Sequence, residues 1–102
     1  MNGKIERMLK ETLQNLNYEE IILFGSRARG DFSEESDYDI LIVLQDSISI
    51  REKMESSAKL RREIAKMGID ADIIIKSREE VEYYENKIGN IVRNALREGV
   101  AL

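Results

Sequence analysis

Asp37-Tyr38-Asp39 leads directly into an uninterrupted apolar run, Ile40-Leu41-Ile42-Val43-Leu44, and ten residues separate Gly25-Ser26 from the first aspartate. The run is apolar on both faces from Ile40 onward, which predicts a strand buried beneath helices on each side of a sheet. Successive strand side chains alternate faces, so Asp37 and Asp39 point the same way with their backbones roughly 6–7 Å apart. Two acids so placed can converge on one or two divalent cations. Buried without a counterion they would repel, and one would have to bind a proton. Hard cations such as Mg²⁺ take oxygen ligands and commonly share them with substrate phosphates. A glycine lets the backbone approach a phosphate, and the N–H groups and serine hydroxyl of such a turn supply donors. The combination points to a site for a metal-bound nucleotide, with Asp37 and Asp39 as the metal ligands and Gly25 and Ser26 at the phosphates.

The remaining pattern predicts the order α-β-β-α-β-α and an α+β (α/β-like) domain with a mixed sheet of three to four strands. Residues 3–16 place Ile5, Met8, Leu9, Thr12, Leu13 and Leu16 on one helical stripe. Residues 20–24 read as a strand stopped by Gly25, and residues 29–36, polar and containing Gly30, read as a loop. A second helix is expected over 49–67, with Met54, Ala58, Leu60, Ile64, Ala65 and Met67 toward the core and Gly68 as its stop. Residues 69–75 read as a third strand, with Asp70, Asp72 and Ile74 on one face. Ser77 is a good helix N-cap, followed by Val81, Tyr84, Ile88, Ile91, Val92, Ala95 and Leu96 at helical spacing, with Gly89 as a break between two helices.

Composition narrows the chemistry. The 102 residues suit one domain over 1–102, and no apolar run approaches the roughly 18 residues of a membrane span. The charged N-terminus shows no signal peptide, so a cytoplasmic protein is expected. The chain has neither cysteine nor histidine, so any metal is held by oxygen, favouring Mg²⁺ or Mn²⁺ over zinc. A net charge of −4 argues against a general nucleic-acid binder. The basic cluster of residues 51–66 reads as the solvated face of a helix carrying glutamate–basic pairs. Arg27 and Arg29 admit two readings: neutralising phosphate, with Arg27 the nearer to nucleotide, or bracing the loop through Asp31, Glu34 or Glu35.

Gly25-Ser26-Arg27-Ala28-Arg29-Gly30 followed by Ser36-Asp37-Tyr38-Asp39 resembles the signature of the DNA polymerase β-like nucleotidyltransferase superfamily. The nearest likeness is to its minimal nucleotidyltransferase (MNT) branch, the antitoxins of HEPN/MNT systems. The resemblance extends to Ala71-Asp72-Ile73-Ile74-Ile75 and to the closing Ala95-Leu96-Arg97-Glu98-Gly99-Val100. It implies the polymerase β-like fold and a catalytic triad of carboxylates, Asp37, Asp39 and Asp72. Asp70 competes with Asp72 because it shares that strand face. The implied cofactor is Mg²⁺, as two ions. The implied reaction moves a nucleoside monophosphate, AMP from ATP, to a hydroxyl, and the implied acceptor is a tyrosine on a HEPN-domain toxin partner.

Two other functions remain open at this level. A binding module would neutralise its partner by masking, through the aliphatic and tyrosine positions of residues 81–102. An enzyme acting on RNA ends or a small hydroxylated molecule would draw on the basic helix. A homo-oligomer is compatible with either.

Overall fold

The computed structural model describes residues 3–102; the first two positions of the expected 1–102 domain lie outside the described residues. Four strands form one mixed sheet in the order β3-β2-β1-β4. Helix α1 (Gly3–Leu13) ends in a single 3-10 turn, Gln14–Leu16, and β1 (Tyr18–Phe24) follows. A one-turn helix, α2 (Ser26–Arg29), leads into the loop before β2 (Tyr38–Leu44). Helix α3 (Ile50–Ala65) crosses over to β3 (Ala71–Ser77), which continues directly into α4 (Arg78–Tyr84). Helix α5 (Ile91–Glu98) and the short β4 (Val100–Ala101) complete the chain. β1 lies antiparallel to both β2 and β4, whereas β2 and β3 are parallel.

The apolar run of β2 does what its composition dictates. Ile40, Ile42 and Leu44 face one core with Ile5, Leu9 and Leu13 of α1 and Leu60 and Ile64 of α3. Leu41 and Val43 face the opposite core with Val81 of α4 and Val92 and Ala95 of α5. All five residues of the run are wholly buried. Burying an aliphatic side chain of this size contributes about 1.5–3 kcal/mol, so the central strand is the chief anchor of the fold.

Four expectations about the helices need correction. Met54, Ala65 and Met67 are exposed rather than in the core. At 3.6 residues per turn Met54 lies about 120° round the helix from Leu60, and only the Leu60–Ile64 stripe meets the sheet. Met67 falls beyond the last helical residue, so the helical phase no longer applies to it. Ile88 is 88% exposed: Gly89 (φ +82°) breaks the stretch into two helices as expected, and Ile88 falls in the turn between α4 and α5, outside both. β1 also begins two residues earlier than the apolar run suggested, and α2 replaces what read as a simple turn.

Ser77 caps α4 as expected. Its hydroxyl accepts from the Glu80 N–H, and the Glu80 carboxylate accepts from the Ser77 N–H, completing a capping box at a fully buried serine. Ser77→Ala should therefore lower stability by about 1 kcal/mol, read by urea denaturation. An unchanged midpoint would show that the box contributes nothing.

Candidate active site

The site forms at the edge of the sheet where β1 ends and where β2 and β3 begin. Phe24, at the end of β1, is in register with Asp39 on β2, and Asp39 is in register with Asp72 on β3. In-register neighbours in a sheet stand about 4.8 Å apart with side chains on one face. Asp39 therefore shares its face with Leu41 and Val43, the side covered by α4 and α5, and Asp72 shares the same side with Ile74. Asp37 immediately precedes the strand, and both it and Asp72 act electrostatically on Asp39, so the three carboxylates expected from sequence share one edge of the sheet. Asp70 joins them at the margin: its carbonyl accepts from the Tyr38 N–H, and it lines a hollow of about 320 Å³ with Asp37, Arg61, Arg62, Ala65, Ala71 and Asp72.

Asp39 sits at the centre of this group and bears its electrostatic cost. Its carboxyl is raised above the ordinary carboxylate range, first by burial and then by the neighbouring charges of Asp72 and Asp37; Arg29 pulls in the opposite direction. Asp37 and Asp72 are exposed, so Asp39 alone combines burial with two like-charged neighbours. Such an accumulation of acid, with neither histidine nor thiol in the chain, suits a hard divalent cation by its donor chemistry. Among the described residues no three His, Cys, Asp or Glu side chains are gathered closely enough to hold a metal unaided.

Gly25 closes the site from above. Its backbone, at φ +72° and ψ −158°, lies in a region open almost only to glycine. A Cβ there would stand 2.2 Å from Asp39 Oδ2, so the missing side chain is what allows the turn to rest on the carboxylate. Gly25 also caps α2: its carbonyl accepts from the N–H groups of Ala28 and Arg29. Among the described residues the Ser26 hydroxyl has no partner and remains available.

The two arginines of α2 divide their work. Arg27 donates to the carbonyls of Ser36 and Glu34, and its guanidinium is stacked between the rings of Phe32 and Tyr38, 4.4 and 4.5 Å from their centroids. It braces the loop that delivers Asp37. Arg29 instead faces the acids: it pairs with Asp31 and with Glu98, and its charge reaches Asp39. Tyr38 packs into the core.

Glu98 was not singled out in the sequence. It lies at the C-terminal end of α5 and accepts from the Gly25 N–H at 3.1 Å and from Arg29 at 3.3 Å. Only pairing across 69 to 73 residues could have found it. Arg61 and Arg62 were read as part of a solvated helix face. That reading holds for Arg51 with Glu55 and Lys66 with Glu63, but Arg61 and Arg62 form no ion pair among the described residues and border the aspartate hollow.

A strand-turn-strand of this kind, with its glycine turn set over paired aspartates, has counterparts among known proteins. Residues 6–99 match the family model described as "Polymerase beta, Nucleotidyltransferase". The chain belongs to this nucleotidyltransferase family. The nucleotidyltransferase is 36% identical over 104 residues to "Putative protein adenylyltransferase MJ0604" of Methanocaldococcus jannaschii, across 95% of this chain and 96% of that protein. It is 37% identical over 71 residues to the similarly named MJ0141 of the same organism, across 70% of this chain. That match spans 63% of the length of MJ0141. Among solved structures, the nucleotidyltransferase superposes on a complex described as tri-AMPylated Shewanella oneidensis HEPN toxin with MNT antitoxin. The TM-score is 0.59 at 18% identity, over 99% of this chain and 71% of that one, a likeness of fold. The mixed four-stranded sheet with helices on both faces is thus the polymerase β-like fold anticipated from the sequence.

Proposed function

We propose that this nucleotidyltransferase transfers AMP from ATP to a hydroxyl, with Mg²⁺ held by Asp37, Asp39 and Asp72. The observation that carries the reading is the in-register pairing of Asp39 with Asp72 beneath the Gly25 turn. Gly25 and Ser26 hold the triphosphate through the turn's backbone and the free serine hydroxyl. Arg27 serves the nucleotide by fixing the loop that carries Asp37. The aspartates would share a bound ion with phosphate oxygens and water, the usual manner of Mg²⁺. Bound there, divalent ions lower the pKa of the acceptor hydroxyl and offset charge on the leaving group. The acceptor oxygen forms a bond to the α-phosphorus as the bond to the β-phosphate oxygen breaks. Pyrophosphate departs and the hydroxyl proton passes to solvent. The aspartates contribute position and charge, with no covalent step of their own.

The relatives named as protein adenylyltransferases and the AMPylated toxin in the superposed complex support a protein acceptor, a tyrosine on a HEPN-domain partner. The exposed mouth of the site leaves room for such a partner to complete the acceptor side. One observation favours a second acceptor class: Arg61 and Arg62, without ion pairs among the described residues, border the aspartates as an RNA end would require.

The test is transfer of label from α-³²P-ATP into proteins of a lysate, with Mg²⁺ and with EDTA. Label on one protein band, lost in EDTA, is the expected result. Label in RNA would move the second acceptor class forward. No label in any fraction, with neutralisation of a partner intact, would replace transfer by masking.

A further inference from the structure

Glu98 occupies the place of an anion. The Gly25 N–H and one Nη of Arg29 both donate to its carboxylate, at 3.1 and 3.3 Å. A backbone amide of a glycine turn together with a guanidinium is a donor pair suited to a phosphate oxygen, and a carboxylate presents the same kind of acceptor. The contact is built into the fold. Gly99 follows Glu98, and a Cβ on it would lie 2.3 Å from both the Ala95 carbonyl oxygen and Ile22 Cγ2, so only a glycine lets the end of α5 settle on β1. The next two residues then pair with Ile22 and Leu23, just before Gly25. The carboxylate is thereby delivered to the mouth of the turn, on the sheet face that carries Asp39 and Asp72.

Its position is electrostatically adverse for the site. Glu98 adds a further negative charge beside Asp39. An acid in that position stabilises the turn when it is empty of ligand and opposes a triphosphate that approaches it. The neighbouring Asp31 provides a contrast, because it also pairs with Arg29 at 3.3 Å but makes no bond to Gly25.

We infer that Glu98 is an internal phosphate mimic: it holds the Gly25 N–H and Arg29 until a nucleotide triphosphate displaces it and takes over both donors. The inference rests on the nucleotide reading of the Gly25–Ser26 turn. It adds Arg29 as a phosphate ligand that is released only when Glu98 leaves, and it makes the end of α5 a gate on nucleotide entry. A partner that moved α5 would thereby change nucleotide affinity.

The experiment compares wild type, Glu98→Gln and Asp31→Asn for binding of ATP with Mg²⁺ and of inorganic tripolyphosphate, by calorimetry, with thermal melts to confirm folding. Displacing a charge-assisted contact from two donors should make Glu98→Gln bind both ligands about tenfold more tightly. Asp31→Asn, which removes an equal charge without freeing Gly25, should change affinity far less. Weaker or unchanged binding by a folded Glu98→Gln would overturn the inference and make Glu98 a positioning residue for Arg29. Equal gains in both variants would reduce the effect to general charge and overturn it too. If no folded protein binds ATP or tripolyphosphate, including wild type, the nucleotide reading itself fails.

Discussion

Asp39→Asn is expected to reduce nucleotidyl transfer about 10²–10³-fold while leaving the chain folded, the scale on which loss of one preorganised charge acts. The asparagine keeps the shape that rests against Gly25 but not the charge a cation requires. Full activity in the variant, measured as kcat/KM with labelled ATP, would remove Asp39 from the site. The same substitution makes a stability prediction of opposite sign. Burial, then Asp72 and Asp37, raise the Asp39 carboxyl above its unfolded value. An acid raised on folding binds more protons in the native state, so stability declines as pH rises through the folded pKa and is fullest below the unfolded one. In metal-free buffer near neutrality the ionised carboxylate therefore weighs against the fold, and Asp39→Asn should be at least as stable as wild type. That advantage should shrink as pH falls to about 4, where the unfolded carboxylate titrates. Added Mg²⁺ should stabilise wild type and leave the variant unmoved.

Strand alternation made one half of the site legible. Period two places Asp37 and Asp39 on a common face, and the apolar residues after them explain why β2 is central and why the acids stand at its open end. The position of Asp72 is a different matter. Its partnership with Asp39 depends on the register of a parallel pair joined through α3, and no local pattern encodes that register. Residue spacing alone left Asp70 in contention, and it does lie beside the site. Helical periodicity named Leu60 and Ile64 correctly but overreached at Met54, Met67 and Ile88, because only the geometry of packing decides where a stripe meets the sheet. Arg27 carried two readings until Phe32 and Tyr38 enclosed it, a contact made by the fold of the loop. Glu98 had no local signature at all, since an acid near the end of a helix is ordinary until a distant turn is found bonded to it.

Gly25→Ala tests the approach of the turn to Asp39. Two separable costs meet at this residue. Its backbone conformation disfavours any side chain by about 1–3 kcal/mol, and the new methyl would be driven into Asp39 Oδ2. The atom in the way is the end of the Asp39 side chain, so the carboxylate gives way and shifts relative to Asp72. A displacement near 1 Å in a positioned group costs about 10²-fold in rate. Gly25→Ala should therefore lose both stability and at least that much transfer. Gly30→Ala is the control that divides the two costs. Gly30 also has a positive φ, +89°, but a Cβ there meets nothing within 4 Å. It should lose stability by a similar backbone term and retain most transfer. Equal losses of transfer in the two variants would mean that turn conformation, and not contact with Asp39, sets the rate. Retained transfer in a folded Gly25→Ala would show that the turn does not need to rest on the carboxylate for the chemistry to proceed.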